Sequence, residues 1–154
     1  MVGKLARPTA EIIREFSAEI AEEDAAEVLA VGHGSVPEAI EISVVGSRDT
    51  YAWIVDDRPI CLFGIGADTF LTTDEYSPWL LATPTIRRYP VFFARSSRKV
   101  VDVWRRRYGA MRNYVDARHT RAVRWVQWMG FQVSPAFPMG VDGALFHEFQ
   151  MEAM

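Results

Sequence analysis

The sequence is poor in several things, and each lack excludes something. There is one cysteine, Cys61, in 154 residues, so no disulfide can form within the chain and a reducing compartment is expected. No apolar run approaches the ~20 residues that a membrane helix needs. The opening stretch, MVGKLARPTAEIIREF, lacks the apolar core of a secretory signal. No Gly/Ser linker, low-complexity tract or internal repeat divides the chain. The expectation is a single cytoplasmic domain over residues 1–154, large enough to bury roughly 70% of its unfolded surface.

Lys and Arg are also missing from two long segments, 61–86 and 125–154, each of which carries a balance of −3. The net charge of −3 therefore hides a strong segregation. Residues 1–60 hold 5 basic and 12 acidic groups, whereas residues 87–124 hold 12 basic and 2 acidic ones. Three readings fit: two halves of one domain that attract each other, an oppositely charged protein partner, or a polyphosphate such as nucleic acid meeting the cations of 87–107. The acidic pI of about 5.6 and the lack of any nucleic-acid-binding motif weigh against the last.

What is present has clear periodicity. Lys4 to Arg7 reads as a short strand ended by Pro8. Thr9 is placed to cap a helix carrying Ile12, Ile13, Phe16 and Ile20 at helical spacing. A second helix over 22–31 stops at Gly32-His33-Gly34, and 37–45 reads as a further helical turn. The runs 50–55 and 60–65 around Asp56-Asp57-Arg58-Pro59 predict a β-hairpin. SPWLLA, 77–82, is apolar enough for a strand buried on both faces. Thr83 is placed to cap a brief turn through 84–89. Pro90 fits the first turn of a helix to Tyr108, roughly 30 Å long, with three arginines in its last turn and Gly109 as its stop. Residues 111–117 predict a strand, 117–131 a helix ending in Gly-Phe, 131–135 a strand, 138–143 a loop, and 144–152 an alternating final strand. That order argues for an α+β fold with helices on both faces of one mixed, mostly antiparallel sheet.

Few side chains advertise chemistry. Cys61 lies in the strand-like RPICLFGIG and reads as a buried apolar residue. His33 lies between glycines in a loop, and His147 falls on the apolar side of the last strand. Three scattered histidines and one cysteine show no metal-ligand spacing, so no metal is expected.

The stretch ARHTRAVRWVQWMGF, 117–131, carries a resemblance. The element order, with Ala122, Gly130 and Phe131 in place and Met129 before the glycine, resembles the GNAT acyl-CoA N-acyltransferases. Their last helix often reads N-x-x-A-x-x-x-Y-x-x-x-G-F. Arg7-Pro8, between a first strand and a helix, suits the same family. The resemblance implies acetyl-CoA as cofactor, held near Leu81, Thr83, Thr85, Arg87 and Arg88. Two departures bear on activity. ATPTIRRYP, 82–90, stands where the family carries its glycine-rich pyrophosphate loop and contains no glycine. The family's acidic tyrosine falls at Val126, and its asparagine at His119. If transfer occurs, His119 and Tyr114 are the catalytic candidates the resemblance suggests, with Tyr76, Tyr89 and Asp116 near the strand ends.

A narrower similarity runs from Phe92 to Phe149, through the basic helix, NYVDARHTRAVRWVQWMGF and a final aromatic strand. It resembles the small internal virion proteins of podophages and their prophage relatives, and implies phage structural proteins as partners and a virion interior as a second location. The departures favour a non-catalytic virion or assembly protein. A divergent acetyl-CoA-dependent N-acetyltransferase is the alternative, and nucleic-acid binding through 87–107 a weaker one. An open V between the central strands would favour the cofactor, and a filled one would exclude it.

Overall fold

The structure, a computed structural model, describes residues 3–67 and 76–154. Asp68, Asp74 and Glu75, which make 61–86 acidic, lie outside the described residues. The chain opens with β1 (Lys4–Ala6) and three helices, α1 (Ala10–Glu19), α2 (Glu22–Ala30) and α3 (Val36–Val45). Thr9 caps α1, its hydroxyl accepting the Ile12 N–H. α3 is a full ten-residue helix where only a turn was expected. Ser35 caps it through the Glu38 N–H and Pro37 sits in its first turn, both standard start signals.

The hairpin is tighter and longer than the sequence suggested. β2 (Ser47–Val55) and β3 (Arg58–Ala67) are joined by Asp56 and Asp57 alone. Both have positive φ, 50° and 63°, as a two-residue turn matched to strand twist requires. β4 (Tyr76–Ala82) leads to a 3-10 turn over Pro84–Arg88 and then α4 (Pro90–Tyr108). Thr83 stands at the N-cap of that turn, as expected, but its side chain makes no cap hydrogen bond. Its N–H and hydroxyl both go to the Ile60 carbonyl, tying the end of β4 to β3. After Gly109, with φ of +87°, come β5 (Met111–Asp116), α5 (Thr120–Trp128), the short β6 (Gln132–Val133) and β7 (Phe137–Pro138), and β8 (Leu145–Met151).

The sheet runs β1-β2-β3-β4-β5-β8-β6, with β7 also on β8, and every pair is antiparallel except β4–β5. Helices cover both faces. On one, Ile13, Phe16, Val28 and Ile40 of α1–α3 pack on Ala52, Ile54, Leu62 and Leu81. On the other, Val101 and Trp104 of α4 and Val126 and Met129, of α5 and its end, pack on Met111, Val115, Phe149 and Met151. A third cluster joins Trp53, Cys61 and Leu80 to Phe92 and Phe93 near the start of α4. Phe146 of β8 alternates with Glu148 and Gln150 and is nevertheless fully buried.

Candidate active site

The sheet opens in its middle. β4 and β5 are in register only at Tyr76 and Met111. Beyond that, the Asn113 side chain reaches the Pro78 carbonyl at 2.8 Å. Pro78 explains part of the parting. Its position should present an N–H toward β5, and proline has none to give. The two strands diverge toward their C-terminal ends.

A parted pair of parallel strands leaves backbone donors without partners, and a buried donor left so costs about 1–3 kcal/mol. The Thr83 N–H points to β3 while the Tyr76 and Ala82 N–H groups point away from it. By alternation, the Leu80 N–H also faces the gap. Across it, the Tyr114 and Asp116 N–H groups face inward, since Ala117 donates to β8. Three of these four donors meet side chains. Ala82 donates to Asp24 Oδ2 at 2.7 Å, Asp116 to Glu27 Oε1 at 2.7 Å, and Tyr114 to Asn113 Oδ1 at 2.8 Å. The Leu80 N–H has no acceptor among the described residues.

Asp24 and Glu27 are three residues apart on α2, so they share one face and reach opposite walls of the gap. The Ala21 N–H donates to the Ala82 carbonyl at 2.9 Å, fixing the start of α2 on β4. His119 stands at the N-cap of α5, where its Nδ1 accepts the Ala122 N–H at 3.4 Å and its Nε2 meets Asp24 Oδ1 at 2.6 Å. With Nδ1 accepting, Nε2 carries the proton toward Asp24. His119 therefore caps α5, and it is half-buried and held by Asp24.

Environment divides these groups. Burial pushes the Glu27 carboxyl up to about 7, against the Asp116 N–H and His119, which favour its charge. The hydrogen bond to Asp24 raises His119. Asp116 is lowered, chiefly by Arg118, whose guanidinium folds back onto it at 2.7 and 3.0 Å. The potential ligand atoms of Asp24, Glu27 and His119 lie within 4.8 Å of one another. They are already engaged with one another and with the strand N–H groups.

A cavity of about 720 Å³ passes through the gap and touches both helical layers. On the α2 side it meets Glu27, Val28, Val31, His33, Tyr114 and Phe146. On the α4 side it meets Leu80, Phe92, Phe93, Ser96, Ser97 and Trp125. Glu27 is its one carboxylate among the described residues.

The residues singled out from the sequence scatter around this gap. Leu81 points into the α1–α3 core, and Thr83 is buried and committed to Ile60. Thr85, Arg87 and Arg88 lie in the 3-10 turn before α4, where Arg87 pairs with Glu23 at 2.8 Å and Arg88 is exposed. Tyr114 lends its N–H to the gap wall, while its exposed ring meets Phe137 edge-on. Tyr76 packs on Tyr108 and Tyr89 on Trp53. Cys61 is buried and its thiol pKa is raised well above the usual range, mainly by burial. His147 is half-buried against the Ser134 carbonyl. Val126 is buried in the sheet–helix core.

Glu27 and Asp24 escaped the sequence reading. Asp24 looked like one more acid in a helix start, EED. Its spacing offered a signal, because Ala21, Asp24 and Val28 form one buried stripe and a carboxylate in such a stripe needs a partner. The Leu80 N–H carries no signal in sequence at all.

Part of the charge segregation is resolved within the fold. Glu23 and Asp24 of the acidic segment meet Arg87 and His119, and Asp49 meets Arg107 and Tyr108. Arg95, Arg98 and Lys99 remain exposed on α4, with Arg98 stacked over the half-exposed Trp128 ring at 5.0 Å. Among the described residues no helix is long and apolar enough to cross a membrane.

No family model and no curated protein sequence matches the chain. Solved structures do. Ard1 from Thermoplasma volcanium superposes with a TM-score of 0.74 at 13% identity, over 100% of this chain and 99% of that one. The Streptococcus mutans protein smu.2055 gives 0.73 at 9% identity, covering 98% and 99%. A GNAT superfamily phosphinothricin acetyltransferase from Sinorhizobium meliloti, solved with acetyl-CoA, gives 0.71 at 13% identity, covering 99% and 89%. At such identities the likeness speaks for architecture alone: this chain has the GNAT acyltransferase fold.

Proposed function

We propose that the chain transfers an acyl group from a coenzyme A thioester to an amine, at the gap between β4 and β5. One observation carries this reading. Of the four strand donors that face the gap, three are given side-chain acceptors and the Leu80 N–H is left open beside a cavity of about 720 Å³. A fixed N–H aimed into a cavity is the device that stabilises charge developing on a thioester carbonyl oxygen. Acetyl-CoA is the thioester to try first, since a neighbour in fold was solved with it.

The chain's other groups fit such a molecule in part. α4 is a 19-residue helix whose first-turn N–H groups, at Val91 and Phe92, lie beyond the 3-10 turn. Arg88 is exposed beside them, and Arg87 can join it by leaving Glu23. Side chains would then hold the phosphates that a glycine loop holds through backbone. Thr85 is the remaining polar side chain of that approach.

On the acceptor side, Glu27 with its pKa near 7 takes the proton from the attacking amine. Asp24 and His119 act as positioning residues, fixing the end of β4. In the transfer Glu27 takes the ammonium's first proton, a C–N bond replaces the C–S bond, the nitrogen's second proton passes to water, and the thiolate leaves. Val126 has no proton to give, so the thiolate takes one from water. Calorimetric titration with acetyl-CoA, followed by release of free thiol with an amine present, tests the reading. Saturable binding and turnover are expected, and no binding at millimolar cofactor would dispose of it.

A second reading draws on the missing glycines at 82–90 and on buried Val126. It makes the chain a non-catalytic protein acting by contacts with phage structural proteins. Mass spectrometry of purified virions would then find it, and acetyl-CoA would not bind.

A further inference from the structure

Acyl transfer leaves the amine unnamed, and the walls of the gap restrict it. One recurring way to hold a peptide acceptor is by its backbone along a strand edge. Here both edges are spoken for: Asp24 takes the Ala82 N–H, Glu27 the Asp116 N–H and Asn113 the Tyr114 N–H. Asn113 also covers the Pro78 carbonyl. Among the described residues the Leu80 N–H is the one such donor left, and on the acyl-transfer reading the thioester takes it. No run of backbone partners remains for a peptide.

A polyamine or an amino sugar meets a different obstacle. Each further ammonium brought into the cavity needs its own carboxylate, because a buried unpaired charge is very costly. Glu27 is the one carboxylate on the cavity wall among the described residues. Asp24 is near, but its two oxygens are bound to Ala82 and His119. Lys4, the wall's one permanent cation, stands on β1, three strands from β4 and roughly 14 Å away at ~4.8 Å per strand. Around Val28, Val31, Tyr114 and Phe146 the α2 side is apolar or aromatic, with His33 half-buried beside them; Ser43 and Ser47 also line the cavity, the Ser47 hydroxyl engaged with the Ser43 carbonyl and Trp79.

We infer, on the acyl-transfer reading, that the acceptor is a primary amine of single charge on an apolar or aromatic body. Its nitrogen meets Glu27, and its body lies along Val28, Val31 and Tyr114. Val31 is the residue to test, because it ends α2 and is half-exposed, so a polar replacement there leaves the core intact.

The experiment offers 2-phenylethylamine, spermidine and glycylglycine separately with acetyl-CoA and follows free thiol, with acetyl-CoA binding measured alongside by calorimetry. Phenylethylamine is expected to exceed the other two in kcat/KM by about tenfold or more. Val31→Asp, which adds a second carboxylate at the cavity edge, is expected to move the ratio toward spermidine by about tenfold with acetyl-CoA affinity unchanged. Spermidine or glycylglycine preferred by the unmodified protein, or a ratio unmoved in V31D, would overturn the inference. So would bound acetyl-CoA with no thiol release from any of the three. Failure of acetyl-CoA itself to bind removes the acyl-transfer reading, and the inference with it.

Discussion

The two helical layers meet the same gap with opposite chemistry. From one side α2 brings Asp24 and Glu27, which tie the parted strands through their N–H groups. From the other, α4 and α5 bring Phe92, Phe93 and Trp125, with cations at the helix start and along the outer face. The α2 side is fixed by short charge-assisted hydrogen bonds. The α4 side relies on aromatic packing such as Phe93 on Trp125, with ring centroids 5.2 Å apart. The difference places the proposed chemistry on the α2 side. The glycines and the tyrosine that the family resemblance implied are missing from the α4–α5 side, at 82–90 and at Val126, while the α2 side carries a carboxylate tuned near neutrality.

If that contrast is right, the α2 side should be the more sensitive one. Glu27→Gln keeps an acceptor for the Asp116 N–H and removes the base, so acyl-transfer kcat should fall by about 10²–10⁴ while acetyl-CoA binding by calorimetry is retained. An unchanged rate would move the base elsewhere, with His119 next to be tried. Leu80→Pro deletes one N–H that serves no strand, as Pro78 already does in β4, and should lower kcat by about 10²–10³. Leu80→Ala controls for the lost side chain. On the other wall, replacing Arg87 and Arg88 together by alanine should weaken acetyl-CoA binding only several-fold, with a shallower salt dependence, because both groups are exposed.

The smallest effect is on stability. Glu27 and His119 both have raised folded pKa values, so the stability each adds is complete below its unfolded value and lost as pH rises through its folded value. Tm should therefore drop by a few degrees between about pH 5 and pH 8, and Glu27→Gln should flatten the curve. Asp24, Asp116 and His119 face Glu27, and Arg118 acts through Asp116. The lowered values of Asp116 and Glu23 matter only on acidification, when their contribution is lost, outside that window.

The architecture was legible because its signals are local. Helical spacing placed α1, α4 and α5; Gly109 and Gly130, with φ of +87° and +102°, marked where α4 and the closing helix turn away. α3 was under-read although Ser35, Pro37 and Glu38 spelled a start. The site was far less legible. Asp24, Glu27 and His119 are neighbours only because α2 packs across the parted strands, and the His119–Asp24 bond spans 95 residues. An unpaired backbone N–H at Leu80 is a property of strand pairing, which no residue type announces.

The Leu80 N–H is the proposed donor to the cofactor in the gap. Calorimetric titration of acetyl-CoA into the unmodified protein, Leu80→Ala and Leu80→Pro tests it most directly, with thermal melts confirming that all three are folded. Saturable binding by the first two, with binding weakened about tenfold or more in Leu80→Pro, is the expected result. Equal binding by folded Leu80→Pro, or none by the unmodified protein, would contradict the claim.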